Sequence, residues 1–206
     1  MKNKLYLMTY TKSGKTTAFI IETVAPIFNK HGYAATSMHK ITSATGLTKG
    51  AIYGNFSDKE ELAYEAFRYN IKKVLGLISE HINVTNSPIK KLLLLIEFYK
   101  KYYELSKNLG GCPILNIGVD ANNQNERLLK KVKDTISKME FSIMEMVAEG
   151  MEKGELKPDL NPGNCAKQIF STIEGAIFMT STMNDPKYLD VATSSLRETI
   201  LTHWKK

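Results

Sequence analysis

The chain has little of what secreted or membrane-spanning proteins need. Its two cysteines, Cys112 and Cys165, are too few for a disulfide framework, so free thiols in a reducing cytoplasm are expected. The leucine-rich run 92–96 is only five residues long between two charged side chains, which indicates a core helix and not a membrane span. The first dozen residues lack the apolar core and small-residue cleavage site of a signal peptide, so a cytoplasmic location is expected.

Catalytic signatures are also missing. The sequence contains no H-E-x-x-H, no G-x-S-x-G and no paired carboxylates on one apolar face. Its four histidines are scattered: His31, His39, His81 and His203. We therefore predict no catalytic residue, no metal site and no cofactor. An all-helical enzyme with a buried histidine–carboxylate pair in a C-terminal cavity is kept as an alternative.

Proline and glycine are scarce, with six and 13 residues, and long segments repeat apolar side chains at helical spacing. With 43% apolar residues, the chain can bury a substantial core. This pattern predicts an all-α protein of about nine helices. Three parts are expected: a basic N-terminal arm at 1–13, a helix-turn-helix domain at 14–62, and a larger helical domain at 63–206.

The rest of the chain is organised around residues 36–59, which predict two short helices joined by a turn. Thr36 or Ser37 can cap the first helix, because a short hydroxyl side chain accepts a bond from a free N–H of the first turn. Gly46 is expected to end that helix in the left-handed conformation, and Thr48 to cap the second. Ser57 begins an S-x-x-E capping box that predicts the start of a third helix.

The second short helix has two different faces. Its inward side chains are predicted to be Ala51, Ile52 and Phe56, and its outward ones Lys49, Gly50, Tyr53 and Asn55. A small, basic and aromatic outer face is typical of a DNA-reading helix-turn-helix. The same geometry also occurs in helical hairpins that never contact DNA, so the pattern alone does not decide between the two.

Charge favours the DNA-binding interpretation. Residues 1–55 contain seven lysines and one acidic residue, a net charge of +6 out of +7 for the whole chain. The remaining residues carry 21 basic and 20 acidic groups. The positive excess therefore lies in the segment with the predicted helix-turn-helix, as a phosphate-binding surface requires.

These residues resemble the N-terminal domain of the TetR/AcrR family of bacterial transcriptional regulators. The resemblance covers about fifty residues with the spacing of the family, and it is carried by segments 28–33, 36–38, 46–56 and 59–62 and by Ile41. One difference is Asn55, which stands where the family usually has His in its Tyr-x-His-Phe signature. Asn can donate to a phosphate but cannot become charged.

The helix-turn-helix predicts how DNA is bound. Lys49 is expected to reach a guanine edge or a phosphate, and Gly50 to let the helix approach the major groove closely. Ala51 touches a thymine methyl or faces the core. Phosphate contacts are expected at helix N-termini and, as the resemblance implies, from Tyr53 and Asn55. The predicted DNA-binding residues are Thr36, Ser37, Thr48, Lys49, Gly50, Ala51, Tyr53, Asn55 and Lys59.

For the C-terminal part, the resemblance implies a pocket for a small-molecule effector, here expected to be apolar or aromatic. The predicted lining residues are Phe98, Tyr102, Tyr103, Phe141, Met144 and Phe178. One helix-turn-helix reads only ~4–6 bp, so a homodimer on a palindromic operator is expected, paired through the last two helices, which are rich in small residues. The predicted function is a repressor that a small-molecule inducer releases from DNA.

Cys112 suggests a second hypothesis for the same regulator. It stands at a predicted helix start, where a lowered thiol pKa would favour the reactive thiolate. A redox-sensing regulator is therefore an alternative, and a buried structural cysteine is the other interpretation.

Overall fold

The computed structural model describes residues 12–107, 109–122 and 124–206, with only the backbone for residues 12 and 13. Within these ranges the chain forms ten α-helices, a terminal π-helical segment and no strand. The elements are α1 (Lys12–His31), α2 (Met38–Thr45), α3 (Lys49–Tyr53), α4 (Lys59–Ile82), α5 (Pro88–Lys100), α6 (Tyr102–Lys107), α7 (Pro113–Ala121), α8 (Glu126–Glu152), α9 (Pro162–Met183), α10 (Lys187–Glu198) and the π-helical segment Thr199–Trp204.

The predicted all-α class is confirmed, with two local differences. Apolar residues at helical spacing from Ile89 to Tyr103 predict one continuous helix. In the structure α5 ends at Lys100, where the Lys101 N–H bonds to the Phe98 carbonyl at 3.1 Å and tightens the last turn. A separate short helix, α6, follows it. The last predicted helix widens into a π-helical turn, closed by a bond of 2.8 Å from the Lys205 N–H to the Ile200 carbonyl.

The N-terminal end departs from the sequence prediction. Helix α1 begins at Lys12, so the last two positions of the predicted basic arm are helical. The rest of that arm, residues 1–11, lies outside the described residues. None of the helices that are described is long and apolar enough to cross a membrane.

Two hydrophobic cores divide the described chain. The first joins α1, α2, α3 and the start of α4, with Phe28, Ile41 and Ile52 almost fully buried. The second fills the space between α4 and the helices from α5 onward. Helix α4 belongs to both cores, since its buried apolar residues up to Ala66 pack in the first and those from Phe67 pack in the second, while the half-buried Tyr69 packs against the first. A displacement of α4 therefore changes the packing of both cores.

A polar contact also joins the two cores. The Asn29 side chain of α1 donates to the carbonyls of Leu109 at 2.6 Å and Gly111 at 2.8 Å. The Asn116 side chain of α7 donates in return to the Asn29 carbonyl at 2.9 Å. Gly110 permits this approach, since a Cβ there would lie 2.8 Å from the Pro26 carbonyl oxygen. We call this set the Asn29–Asn116 contact.

Candidate nucleic-acid interface and internal cavity

Helix α2 is capped at both ends as the sequence indicates. Ser37 is the N-cap, and its hydroxyl accepts a hydrogen bond of 3.2 Å from the Lys40 N–H. Gly46 ends the helix with φ of 68°, and its N–H bonds to the Thr42 carbonyl at 2.9 Å. These short-range bonds fix where α2 begins and ends, and Gly46 turns the chain toward α3.

Thr36 is a correction to the predicted DNA-binding set. Its side chain is fully buried, and its hydroxyl donates to the Gly32 carbonyl at 2.7 Å. A phosphate could use this hydroxyl only if the turn between α1 and α2 opened. The exposed Ser37 is the hydroxyl at this helix end that DNA can approach.

Helix α3 presents the predicted outer face to solvent. The Thr48 hydroxyl caps it, accepting from the Ala51 N–H at 3.1 Å. Lys49 and Gly50 are exposed, and the Tyr53 side chain is 39% exposed. The Lys49 ammonium lies 5.7 Å from the centroid of the Tyr53 ring, so both occupy one side of the helix. This side of α3 therefore presents the Lys49 ammonium, the Tyr53 phenol and the exposed backbone at Gly50.

Gly50 leaves the middle of that side unobstructed. A Cβ built there would meet only the Thr48 hydroxyl, at 3.9 Å. No contact inside the protein therefore requires glycine at this position. Ala51 is half-buried, so its side chain could either contact a thymine methyl or pack toward the core, the two roles that the sequence left open.

The Asn55 side chain makes two hydrogen bonds within the protein, in addition to any contact with a phosphate. Its amide donates to the Ala51 carbonyl at 2.8 Å, and its side-chain oxygen accepts from the Thr17 hydroxyl at 2.8 Å. The half-buried amide thus ties the end of α3 to α1. The second N–H of this amide is not used by these two bonds, so Asn55 can position α3 and still has a donor for a phosphate.

The capping box of α4 is displaced by one residue from the prediction. Asp58, and not Ser57, is the N-cap, and its carboxylate accepts from the Glu61 N–H at 2.7 Å. The Glu61 carboxylate accepts in return from the Ser57 N–H at 2.6 Å. The pKa of Glu61 is lowered, and this hydrogen bond is the largest contribution to the lowering. The beginning of α4 is therefore rigidly joined to the end of the helix-turn-helix.

Lys59 lies at this same helix start but is restrained. Its ammonium stands 4.3 Å from the centroid of the Tyr33 ring. Partial burial lowers the pKa of Lys59. Positive side chains also surround the exposed His31: a slight desolvation, followed by the charges of Lys40 and Lys30, lowers the pKa of His31. Anionic phosphates are favoured in such surroundings.

The second core contains a cavity of about 270 Å³ between α4, α5, α8 and α9. Its lining residues are Leu75, Ile78, Ser79, Ile82, Leu95, Tyr99, Lys138, Met139, Ser142, Ile143, Met146, Phe170 and Ile173. Leu75, Ser79, Lys138 and Ser142 are exposed, so the cavity opens to solvent on their side. We call this space the apolar cavity.

None of the six predicted ligand residues lines the apolar cavity, and the structure places them elsewhere. Phe141 and Phe178 are 52% and 49% exposed on the outer surface. Phe98 is buried against the rings of its aromatic neighbours, and the Tyr103 hydroxyl donates to Asn184 at 2.5 Å. Met144 packs half-buried against the core. Tyr102 lines only a small adjoining pocket of about 10 Å³.

Cys112 is not an activated thiol. It is buried, and burial followed by the nearby Glu174 carboxylate strongly raises its thiol pKa. The Cys112 Sγ lies 3.5 Å from Glu174 Oε2. Its position before α7 does lower the pKa through backbone N–H groups, but these effects are smaller. Burial of the thiol and the raised pKa favour the structural interpretation of Cys112 over the redox-sensing alternative.

Metal binding is not indicated in the part of the chain that is described. Its histidine, cysteine and acidic side chains form no group of three able to hold a metal ion. Cys112 and Cys165 are both free and buried.

Known proteins are similar to the chain over nearly all of its length. Residues 20–66 match the sequence family described as bacterial regulatory proteins of the tetR family, and residues 88–196 match the tetracyclin repressor-like C-terminal domain. A TetR-family transcriptional regulator from Cytophaga hutchinsonii is 34% identical, with 93% of this chain and 96% of that chain covered and a TM-score of 0.86.

Two further relatives agree with this result. A TetR transcriptional regulator from Chloroflexus aurantiacus is 29% identical, covers 94% of this chain and 98% of its own, and superposes with a TM-score of 0.90. The fatty acid metabolism regulator protein of Bacillus subtilis is 27% identical over 177 residues, which is 85% of this chain and 88% of that protein. The matched family is described as regulatory proteins and the two similar structures are of transcriptional regulators, so the prediction that the chain is a regulator and not an enzyme is confirmed. The chain is a member of the TetR family of transcriptional regulators.

Proposed function

We propose that the chain is a repressor that binds a palindromic operator as a homodimer in the bacterial cytoplasm and leaves it when a small molecule occupies the C-terminal part. The observation that carries this proposal is the exposed side of α3, where Lys49, Gly50 and Tyr53 stand together. We place the reading unit at 14–62 and the effector and dimer unit at 63–206. The DNA contacts proposed are those predicted from the sequence, without the Thr36 hydroxyl.

Roles within the reading unit follow from exposure. Lys49 is the side chain best placed to reach a base edge, because it stands free at the beginning of α3. Tyr53, Ser37 and the Asn55 N–H are proposed to hold phosphates, which fixes register without reading sequence. Lys59 contributes positive charge from its position over Tyr33.

The proposed dimer surface lies on α9 and α10. Ser171, Gly175 and Phe178 are exposed at helical spacing along α9, and a Cβ built on Gly175 would meet nothing within 4 Å. Val191 of α10 is 70% exposed. An open strip of small and apolar side chains allows another pair of helices to pack closely. Phe178, predicted from the sequence as a ligand residue, is proposed to belong to this surface.

The effector is proposed to occupy the apolar cavity and to act through two connections. Ile78 of α4 lines the cavity, and α4 also packs in the first core. Cys112 and Pro113 line the small adjoining pocket, next to the glycines of the Asn29–Asn116 contact. A ligand that changes either wall shifts the reading unit. A preference of ~1–3 kcal/mol for the DNA-free state is sufficient for induction.

Selection from random duplex DNA tests this function. The purified full chain is compared with Lys49→Ala and Tyr53→Ala, and with Lys90→Ala as a control that removes an exposed lysine from α5. We expect wild type and the control to enrich one two-fold symmetric site, with a Kd on the order of 10⁻⁸ M and a steep salt dependence. Both α3 variants lose this enrichment. Absence of any enriched sequence in wild type, or unchanged binding in the α3 variants, contradicts the proposal.

A further inference from the structure

Glu174 is an unusual side chain for the interior of the second core. It lies half-buried on α9, and its described hydrogen-bond partner is the Cys112 thiol, 3.5 Å from Oε2 and 3.8 Å from Oε1. A thiol is a weak donor. Among the described residues, Glu174 forms no ion pair with a lysine, arginine or histidine. Its carboxylate therefore lacks the positive partner that buried carboxylates usually have.

The surroundings of Glu174 adjoin the apolar cavity. Glu174 lines the small pocket of about 10 Å³, which has room for about one water molecule. Leu75, Tyr99 and Met139 line both the small pocket and the apolar cavity, so the two spaces share a wall. Met139 is the flexible member of that wall, so a rotation of its side chain would join the two spaces. Glu174 then stands at the inner end of one continuous site.

The inner end and the outer end of this site differ in charge. Lys138 is exposed at the solvent opening, where a ligand carboxylate would stay hydrated and its attraction to the ammonium would be screened. Glu174 lies half-buried beside the small pocket, where an opposite charge is attracted more strongly than at the exposed opening. Burial raises the pKa of Glu174 to about 7, as expected for a carboxylate without a cation. The strong electrostatic preference of the site is therefore at its inner end.

We propose that the effector of this protein is an apolar amine whose chain fills the apolar cavity and whose ammonium group pairs with Glu174. The proposal rests on the proposed function, in which this cavity is the effector site. A volume of about 270 Å³ accommodates about nine non-hydrogen atoms at ~30 Å³ each. The ammonium replaces the Cys112 thiol as the hydrogen-bond donor to Glu174. Cys112 directly follows the glycines of the Asn29–Asn116 contact, and this contact joins the segment before α7 to α1. A displacement of Cys112 by the ligand is therefore transmitted to residues 14–62 through this contact.

Three probes with the same number of non-hydrogen atoms, or nearly so, test the polar end of the ligand. We would titrate the full-length protein at pH 8 with n-octylamine, n-octanol and octanoate by calorimetry. At this pH the amine is protonated and Glu174 is ionised. We expect octylamine to bind about tenfold or more tightly than either other probe, since charge-assisted hydrogen bonds are the stronger ones.

Two variants separate the pairing from general hydrophobic binding. Glu174→Gln keeps the shape of the side chain and removes its charge, so the preference for octylamine disappears while octanol binding is retained. Glu145→Gln removes an exposed carboxylate from neighbouring α8 and keeps the preference. Equal binding of the three probes to wild type overturns the inference. A preference for octanoate, the probe suggested by the name of the Bacillus subtilis relative, also overturns it.

The outcome is distinguishable from failure of the proposed function. If wild type selects a symmetric DNA site and octanoate or no probe binds, the regulator stands and the amine inference falls. If octylamine binds through Glu174 but wild type selects no DNA sequence, the ligand site stands and the proposed repressor falls.

Discussion

Glu174→Gln is predicted to change the free energy of unfolding in a pH-dependent way, which can be measured without ligand or DNA. Burial raises the pKa of Glu174 from its ordinary 4.5 to about 7, whereas the unfolded chain keeps the ordinary value. Between these two values the folded protein holds a proton that the unfolded chain has released. The free energy of unfolding therefore falls as the pH rises from about 4.5 to about 7, and it stays lowered at higher pH.

The size of this effect follows from the pKa change. A rise from 4.5 to about 7 corresponds to about 3 kcal/mol of destabilisation once the carboxyl is ionised. Glu174 is only half-buried as a residue, so water reaching its outer atoms reduces this amount to about 2–3 kcal/mol. Gln has nearly the same shape and no charge. It should relieve the destabilisation at pH 8 and have little effect at pH 5.

Guanidinium chloride unfolding at pH 5 and pH 8 measures this difference. Glu174→Gln is expected to unfold at higher denaturant concentration than wild type at pH 8, with an unchanged slope, and at nearly the same concentration at pH 5. The control Glu145→Gln, which removes an exposed carboxylate, should show no such pH dependence. Equal effects of Glu174→Gln at the two pH values, or a loss of stability at pH 8, would refute an unpaired buried carboxylate.

Three further predictions concern α3, the dimer and Cys112. Gly50→Ala should leave stability unchanged or raise it by up to about 1 kcal/mol, since its Cβ fits the protein, while weakening operator binding about tenfold in a fluorescence anisotropy titration because the Cβ faces the groove. Full stability with full DNA affinity contradicts a close approach at Gly50. Val191→Asp should convert dimers to monomers in analytical ultracentrifugation, because it charges the exposed strip of α10; an unchanged mass places the dimer elsewhere. Peroxide should have the same effect on DNA binding by Cys112→Ser and by wild type, since the Cys112 thiol is buried and its raised pKa keeps it protonated. If peroxide released wild type but not Cys112→Ser from DNA, the redox-sensing hypothesis would be supported.

Features set by neighbouring residues could be predicted from the sequence. The caps at Ser37, Gly46 and Thr48 depend on bonds three or four residues long, so the sequence contains all the participants. The outer face of α3 follows from the same local periodicity. Even here the capping box of α4 was misplaced by one residue, because Ser57 and Asp58 both have a glutamate three positions later and the docking of α4 decides between them.

Features that depend on distant residues could not be predicted. Helical periodicity shows that Phe141 and Phe178 share the character of core residues, but not that both lie on the outside of the monomer. The apolar cavity lies between two pairs of consecutive helices, α4 with α5 and α8 with α9, and these pairs are far apart in the chain. The pKa of the Cys112 thiol is raised first by burial and then by the carboxylate of Glu174, 62 residues away, and these effects exceed the lowering effect of the helix start.

The central claim is that two copies of α3 read the two halves of one operator. Its most direct test is the Kd of wild type for the selected duplex, compared with the same duplex in which one half-site is scrambled and the phosphate backbone is unchanged. Each lost base pair costs ~1–3 kcal/mol, so we predict that scrambling raises the Kd about 100-fold or more. An unchanged Kd would show that binding is by charge alone and would contradict a dimer that reads sequence through α3.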